Sequence, residues 1–205
     1  MTSRWTKLLV GGAVALAVAP FALWATLEII ARCGSYPVDD LARDHGSTRI
    51  YDARGQLLRE AVGETGVRSE WVALGDVSHF AIDATIAVED VRFRDHDGVS
   101  WRSFARAVGQ ASTNLHVVSG ASTLTMQVVR LVHPHDRGVR AKLGEMIDAL
   151  RLERAVDKDA ILEQYVNRSP YGADTVGIEA ASRRYFGKPS AHLSLAEAAL
   201  LAGLP

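Results

Sequence analysis

The chain has 205 residues, of which 48% are hydrophobic, and a formal net charge of −1 at pH 7. This length and composition fit one domain of ordinary size with a real core, plus short accessory segments. The near-neutral charge argues against a nucleic-acid-binding protein. The single cysteine, Cys33, excludes an intramolecular disulfide framework and a CxxC metal site.

The N-terminal segment has the pattern of a membrane anchor. Residues 8–27 form an uncharged, mostly apolar run, and about 20 such residues span a bilayer as a helix. Arg4 and Lys7 precede the run, so the positive-inside rule leaves the N-terminus in the cytoplasm. A cleaved signal peptide is the alternative, although its apolar region is normally only about 7–15 residues long.

We therefore divide the chain into four parts. Residues 1–7 are predicted to be a cytoplasmic tail and residues 8–30 an uncleaved transmembrane signal-anchor. Residues 31–47 are predicted to be a polar linker, and residues 48–205 a folded domain outside the cytoplasm.

Within the domain, a hairpin is predicted over residues 49–59, because turn residues separate two short apolar segments. The pattern after Phe80 is helical. Ser194 and Glu197 have the spacing of a capping box, which opens the last helix. Apolar periodicity and stop signals predict the earlier helices over residues 80–88, 100–110, 120–133, 139–155, 158–166 and 175–186.

The first candidate for chemistry is Glu89. Ile82, Ile86 and Glu89 fall at i, i+4 and i+7, so a carboxylate closes an apolar stripe of the helix. Desolvation raises the pKa of a carboxylate toward values that are useful for proton transfer. The alternative is that Glu89 and Asp90 merely end a helix and face water. This stretch alone leaves both interpretations open.

A second group of polar residues lies further along the chain. Thr123, Gln127 and Arg130 share one helix face beside a glycine-rich start, which suits an anion site, although an ordinary solvated face has the same pattern. Lys142 and Glu145 form an i, i+3 pair in the next helix. Between them, Gly144 is costly in a helix interior, so we expect another group to approach its backbone closely. Two carboxylates with cations beside one of them would suit sugar transfer from a phosphate.

Taken together, the motifs resemble the peptidoglycan glycosyltransferase domain, glycosyltransferase family 51, of class A penicillin-binding proteins. Residues 89–98 are similar to the EDxxFxxHxG motif of that family, and residues 120–127 to GxSTxTQQ. Lys142 and Glu145 match the end of RKxxE, and residues 158–167 match KxxILExYxN. The resemblance covers about residues 48–205, and the STLTMQ form is most similar to the penicillin-binding protein 1C group.

The resemblance implies a mainly α, lysozyme-like fold with a small N-terminal β-hairpin region, preceded by one transmembrane helix. A membrane-associated jaw would lie between the first two motifs. The implied reaction is polymerisation of lipid II into β-1,4 glycan strands, with release of undecaprenyl pyrophosphate. Glu89 would be the base that deprotonates the acceptor 4-hydroxyl, and Glu145 would assist at the donor. The implied substrate-binding residues are Asp90, Phe93, His96, Ser122, Thr123, Gln127, Arg130, Arg140 and Lys142.

The resemblance leaves room for a divalent cation, Mg²⁺ or Mn²⁺, at the donor pyrophosphate, and implies no other cofactor and no metal held by the protein alone. The implied partners are lipid II, the growing glycan strand, membrane lipid and other cell-wall synthesis proteins, and no nucleic acid. The implied location is the bacterial plasma membrane, with a single span and the catalytic domain on the periplasmic or extracellular side.

This sequence departs from the family pattern at three places. Ala141 stands where the third motif usually has arginine, and Met126 stands where the second has glutamine. Family members also continue beyond the position of Pro205, so we interpret residues 48–205 as a C-terminally truncated domain. Two other functions therefore stay open: a membrane-anchored remnant without activity, and a lytic transglycosylase or lysozyme-like enzyme that cleaves glycan.

Overall fold

The computed structural model describes residues 21–42, 46–54, 56–62, 66–101, 122–136, 138–172 and 174–205. It is mainly helical with two small sheets, which fits the lysozyme-like domain that the resemblance implies. The helices are α1 (21–32), α2 (His79–Glu89), α3 (Leu124–Val132), α4 (Val139–Ala155), α5 (Lys158–Arg168), α6 (Ile178–Phe186) and α7 (Leu195–Ala202). Short 3₁₀ turns cover Val38–Leu41, Leu74–Asp76, Phe93–Asp95 and Ser190–His192.

The strands form one hairpin and one three-stranded sheet. Strands β1 (Thr48–Tyr51) and β2 (Leu57–Ala61) pair antiparallel, which confirms the predicted hairpin. Strand β5 (Thr175–Val176) is central in the second sheet, parallel to β3 (Arg68–Ser69) and antiparallel to β4 (Pro170–Gly172). This second sheet ties the N-terminal part of the domain to its C-terminal half.

The core is built around α3, which packs on α4 and α5, while α2 packs on α7. Most side chains of α3 are apolar and buried, and only one narrow face of the helix is polar. Leu124 and Val128 from α3, Leu152 from α4, and Ile161 and Leu162 from α5 have no exposed surface. Each such side chain contributes about 1.5–3 kcal/mol through burial, so this three-helix contact contributes strongly to the stability of the domain.

Local signals in the sequence fix where several helices begin and end. The Thr123 hydroxyl accepts a hydrogen bond from the Met126 amide at 3.2 Å, and Asp157 accepts one from Ala160 at 2.7 Å. These contacts satisfy amides that a helix start otherwise leaves unpaired. The capping box of Ser194 and Glu197 is present as predicted.

Two predicted helix starts are wrong. Thr175 and Val176 were expected to open a helix, but they form β5, because both are β-branched and lie between two other strands. Gly177 then turns the chain with φ 87°, and an added Cβ there would lie 2.9 Å from the Asn167 carbonyl oxygen. Helix α3 begins at Leu124, with Thr123 as its cap rather than as a residue of its polar face.

Helix α1 packs against the domain. Leu27 and Ala31 are buried in the common core, and the Trp24 ring meets the Trp101 ring edge-on with centroids 6.3 Å apart. Glu28 accepts a hydrogen bond from Arg154 of α4. Within the described residues, no helix is both long enough and apolar enough to cross a bilayer. Residues 1–20, with the predicted tail and most of the predicted anchor, lie outside those residues, as do residues 102–121, where the jaw was predicted.

Candidate active site

Glu89 is the last residue of α2, and the core holds that helix in place. Ile82 and Ile86 pack against the buried core, as the stripe predicted, while Glu89 itself is half-buried at the end of the stripe. The Gln127 side-chain amide, from α3, donates a hydrogen bond to Glu89 Oε2 at 2.8 Å. Two residues that the sequence separates by 38 positions therefore form one polar pair.

Asp90 connects three parts of the site. It leaves the helix with φ −157° and ψ 79°. Its Oδ2 accepts hydrogen bonds from His96 Nε2 at 2.9 Å and from the Leu124 amide at 3.2 Å. The Gly98 amide donates to His96 Nδ1 at 3.2 Å, so the ring proton belongs on Nε2, which faces Asp90. Asp90 therefore links the beginning of the first motif to its histidine and to the first turn of α3.

Gly98 is required by this loop. Its φ is +93°, and an added Cβ would lie 2.7 Å from the carbonyl oxygen of Ala149 in α4. The Thr123 hydroxyl donates to the Gly98 carbonyl oxygen at 2.6 Å. The glycine therefore lets the loop lie directly on α4, with Thr123 holding it from α3.

Phe93 and Lys158 support the loop from the core side. Phe93 has no exposed surface, and the Lys158 ammonium lies 4.4 Å from the centroid of its ring. Lys158 also donates to the His96 carbonyl oxygen at 2.5 Å and to Glu153 Oε1 at 2.6 Å. The lysine of the fourth motif is therefore a supporting group beneath the first motif.

A second polar centre surrounds Glu145, which is 5% exposed. The Lys142 ammonium lies 2.6 Å from Glu145 Oε2 and donates to the Ser122 hydroxyl at 2.7 Å. On the other side, His135 Nε2 lies 3.3 Å from Glu145 Oε1. The carboxylate is thus held between two basic side chains, which compensates the cost of burying its charge.

These groups line a cavity of about 370 Å³. Among the described residues, its wall is formed by Arg130, His135, Gly138, Ala141, Lys142 and Glu145. Gly138 precedes the first turn of α4, so the positive end of that helix dipole also faces the cavity. Cationic side chains and a helix N-terminus at one cavity make a site for an anion.

Helix α3 joins the two centres. Gln127 and Arg130 lie three positions apart on one face, so α3 presents one to Glu89 and the other to the cavity. Met126 is 2% exposed and packs in the core. The departure from the family glutamine at this position therefore lies in the core.

The structure places two other expected features differently. Arg140 is exposed at the start of α4, and the neighbouring Ala141 lines the cavity. An added Cβ at Gly144 would meet nothing within 4 Å among the described residues outside its own helix backbone, so none of these residues makes the expected close approach.

Sequence reasoning missed His135 and two tyrosines near Glu89. Burial raises the pKa of Tyr165 to about 12, and the negative charge of Glu89 adds to this effect. Burial also raises the pKa of Tyr171, again with a contribution from Glu89. The tyrosine of the fourth motif could have been noticed, but Tyr171 and His135 lie between predicted helices, where periodicity carries no information.

The side chains at the cavity do not fit a divalent cation held by the protein. One Glu145 oxygen already faces the Lys142 ammonium at 2.6 Å, and the described residues contain no group of three or more metal-binding side chains. A hard cation such as Mg²⁺ needs several oxygen ligands, and these side chains do not supply them.

Comparisons with known proteins support the resemblance that the sequence motifs indicated. The sequence model of the family described as Transglycosylase matches residues 54–205. The chain is 40% identical to penicillin-binding protein 2D of Bacillus subtilis over 92% of this chain and 27% of that protein. It is 39% identical to penicillin-binding protein 1C of Escherichia coli over 94% of this chain and 24% of that protein.

The chain thus spans about a quarter of the length of these two relatives. It spans 77% of a Cupriavidus necator protein that is provisionally named a transglycosylase, with 37% identity over 99% of this chain. The relatives include penicillin-binding protein 1C, as the STLTMQ form predicted. The chain belongs to the transglycosylase family, as a peptidoglycan glycosyltransferase domain of the class A penicillin-binding protein type.

Proposed function

We propose that this domain polymerises lipid II into β-1,4 glycan strands and releases undecaprenyl pyrophosphate. The proposal is supported by the arrangement of two polar centres on either side of α3. A carboxylate held by Gln127 lies on one side, and a cationic cavity with Arg130 and Lys142 lies on the other. This division matches a reaction that needs a base at a hydroxyl and an anion site at a leaving group.

In the proposed reaction, Glu89 takes the proton from the 4-hydroxyl of the acceptor N-acetylglucosamine. The oxygen attacks the anomeric carbon of the donor N-acetylmuramic acid and forms the new C–O bond. The bond from that carbon to the pyrophosphate oxygen breaks, and the electron pair leaves with the pyrophosphate. Inversion at the anomeric carbon gives the β linkage. Gln127 orients the carboxylate through Oε2, and we assign proton transfer to Oε1.

At the donor, Arg130, Lys142 and Ser122 would hold the pyrophosphate, and Glu145 would position Lys142. Asp90, Phe93, His96 and Thr123 would act by shaping the loop around the acceptor. We further infer that the protein works at the bacterial plasma membrane, because its substrate carries a polyprenyl chain. Glycan cleavage by a lysozyme-like route needs no anion cavity, so the cavity favours polymerisation.

The test uses the full chain extracted from membranes, with lipid II as substrate and glycan strand length as readout. Glu89→Gln keeps the shape and a hydrogen bond to Gln127 but cannot accept the proton. General base catalysis contributes about 10²–10⁴-fold, so turnover should fall by that factor while the protein stays folded. The matched control is Asp83→Asn, an exposed acid on the same helix, which should polymerise at the wild-type rate.

Equal rates for the wild type and Glu89→Gln would place the base elsewhere. A folded wild-type chain that makes no glycan would favour the remnant, and shortening of preformed glycan would favour a lysozyme-like enzyme.

A further inference from the structure

A buried acid outside the sequence motifs lies beneath the first-motif loop, residues 90–98. Glu153 is in the last turn of α4, and its side chain is only 6% exposed. Its Oε1 accepts a hydrogen bond from the Thr125 hydroxyl of α3 at 2.5 Å and one from the Lys158 ammonium of α5 at 2.6 Å. A single carboxylate oxygen therefore joins three helices, and its two donors belong to the second and fourth motifs.

The ion pair with Glu153 keeps the Lys158 ammonium under the loop. The Lys158 side chain is 20% exposed, donates to the His96 carbonyl oxygen at 2.5 Å, and lies 4.4 Å from the centroid of the Phe93 ring. A largely buried cation is costly unless an opposite charge lies beside it. Glu153 provides that charge, so the contact between Lys158 and the loop depends on Glu153.

The same acid lies against the turn of the loop at Gly98. An added Cβ at Gly98 would be 3.1 Å from Glu153 Cγ, so the loop packs directly on this side chain. The Thr123 hydroxyl, at the cap of α3, donates to the Gly98 carbonyl oxygen at 2.6 Å, and Thr125 donates to Glu153 two residues later. The start of α3 is thus attached to the loop and to α4 in one place.

This attachment bears on the proposed base. Glu89 directly precedes the loop, and Gln127, which donates to Glu89 Oε2 at 2.8 Å, follows Thr125 by two residues in α3. The placement of the loop relative to the start of α3 therefore determines whether Gln127 reaches the carboxylate. A misplacement of about 1 Å at a reacting group can cost about 100-fold in rate.

We propose that Glu153 is a positioning residue for glycosyl transfer, which holds the first-motif loop through Lys158 and the start of α3 through Thr125. In this role Glu153 touches no substrate and acts through the pair of Glu89 and Gln127. The inference rests on the proposed function, because it concerns how the proposed base is placed. The competing explanation is that Glu153 only stabilises the fold, as one half of a buried ion pair.

The first test measures kcat and KM for lipid II polymerisation by the full chain extracted from membranes, well below the unfolding temperature of every variant. Glu153→Ala leaves the Lys158 ammonium without this counter-ion and the Thr125 hydroxyl without its acceptor. We expect kcat to fall about 10- to 100-fold while KM stays within about threefold, because the cations of the donor cavity are not displaced.

Asp148→Asn is the matched control on the same helix. The Asp148 carboxylate is 39% exposed and pairs with Arg151 at 3.1 Å, away from the loop contacts of Glu153. Both kcat and KM of this variant should keep the wild-type values.

The second test separates positioning from stability at Thr125, which has no exposed surface. Thr125→Val keeps the volume and loses the hydroxyl, whereas Thr125→Ser keeps the hydroxyl and loses a methyl group. A purely structural role predicts that the serine variant is no faster than the valine variant, since a small cavity also destabilises the core. A positioning role predicts that Thr125→Ser stays within about threefold of the wild-type kcat and that Thr125→Val is about tenfold slower. Thermal unfolding of both variants is measured alongside.

Wild-type kcat in a folded Glu153→Ala variant would overturn the inference, as would a Thr125→Ser variant that is no faster than Thr125→Val. If Glu153→Ala does not fold, the two Thr125 variants decide alone. A wild-type chain that makes no glycan from lipid II is a different result, because it removes the proposed function and this inference with it. An active wild type with unaffected variants removes only the inference.

Discussion

At the scale of single residues, the two acids of the first motif have separate tasks. Glu89 is half-exposed and is held by one side-chain amide, whereas Asp90 accepts hydrogen bonds from the His96 ring and the Leu124 amide. These neighbouring acids therefore have different surroundings, because Glu89 is the last residue of α2 and Asp90 lies just beyond it. An amide variant of Asp90 is therefore no neutral comparison for Glu89.

We expect Asp90→Ala to destabilise the fold. It would leave the His96 N–H and the Leu124 amide without their acceptor, at a cost of about 1–3 kcal/mol for each buried group. Urea unfolding followed by circular dichroism measures the change in the free energy of unfolding. The exposed neighbour provides the control, because Asp83→Ala should stay within about 0.5 kcal/mol of the wild type. Equal stability of the two variants would show that the Asp90 contacts contribute nothing.

At the scale of elements, the fourth motif connects α5 to the segment 71–74 through side-chain hydrogen bonds. Asn167 on α5 accepts a hydrogen bond from the Val72 amide at 2.9 Å and donates one to the Val72 carbonyl oxygen at 2.8 Å. One turn earlier, Glu163 accepts from the Trp71 indole at 3.1 Å and from the Leu74 amide at 3.0 Å. These side chains supply the hydrogen-bond partners that a neighbouring strand would give to the irregular segment 71–74, which leads into α2 and the proposed base.

Replacing Asn167 by alanine should therefore weaken the hydrogen-bonded contact between α5 and segment 71–74. Two backbone groups of Val72 lose their partner, each at about 1–3 kcal/mol if they stay buried. Hydrogen exchange should show faster exchange of the Val72 amide, and thermal unfolding should show a lower midpoint. Asp159→Asn on the same helix removes only an exposed pair with Arg94, which is worth about 0–1 kcal/mol. A variant of Asn167 with the midpoint of Asp159→Asn would contradict the assignment.

Some of these features could be predicted from the sequence, and some could not. Helix α4 has the predicted ends, and the capping box of α7 is present, because both depend on residues only three or four positions apart. Strands β3 and β5 are two residues each, and Arg68 pairs with Thr175 more than a hundred positions away. No local pattern encodes such a contact.

The site, like the fold, could be predicted only in part. Glu89, Gln127, Lys142 and Glu145 were identified by motif and helical spacing, and the structure joins them into two pairs. The cavity position of His135 depends on the path of the segment between α3 and α4, and Met126 is turned into the core by tertiary packing. Spacing along one helix cannot reveal either feature.

At the scale of the whole molecule, the N-terminal anchor stays a prediction, and it can be checked directly. Protein extracted from membranes should retain residues 8–27, because the apolar run is longer than that of a usual signal peptide and Pro20 follows the best small-residue site. Intact-mass spectrometry measures this. A mature N-terminus that begins after Ala19 would show that the segment is a cleaved signal.

The packing of α1 has a consequence for how such an anchor would work. Leu27 and Ala31 are buried in the domain, and Trp24 and Glu28 form one wall of a cavity of about 530 Å³ whose other wall includes His96. A span that ends in this helix would be a rigid stem, not a tether. At 1.5 Å per residue, only about 10 Å of helix separates Phe21 from Leu27. The stem would therefore fix the height of the first-motif loop above the lipid headgroups, and inserting four residues into it would raise the loop by about 6 Å and rotate it by about 40°.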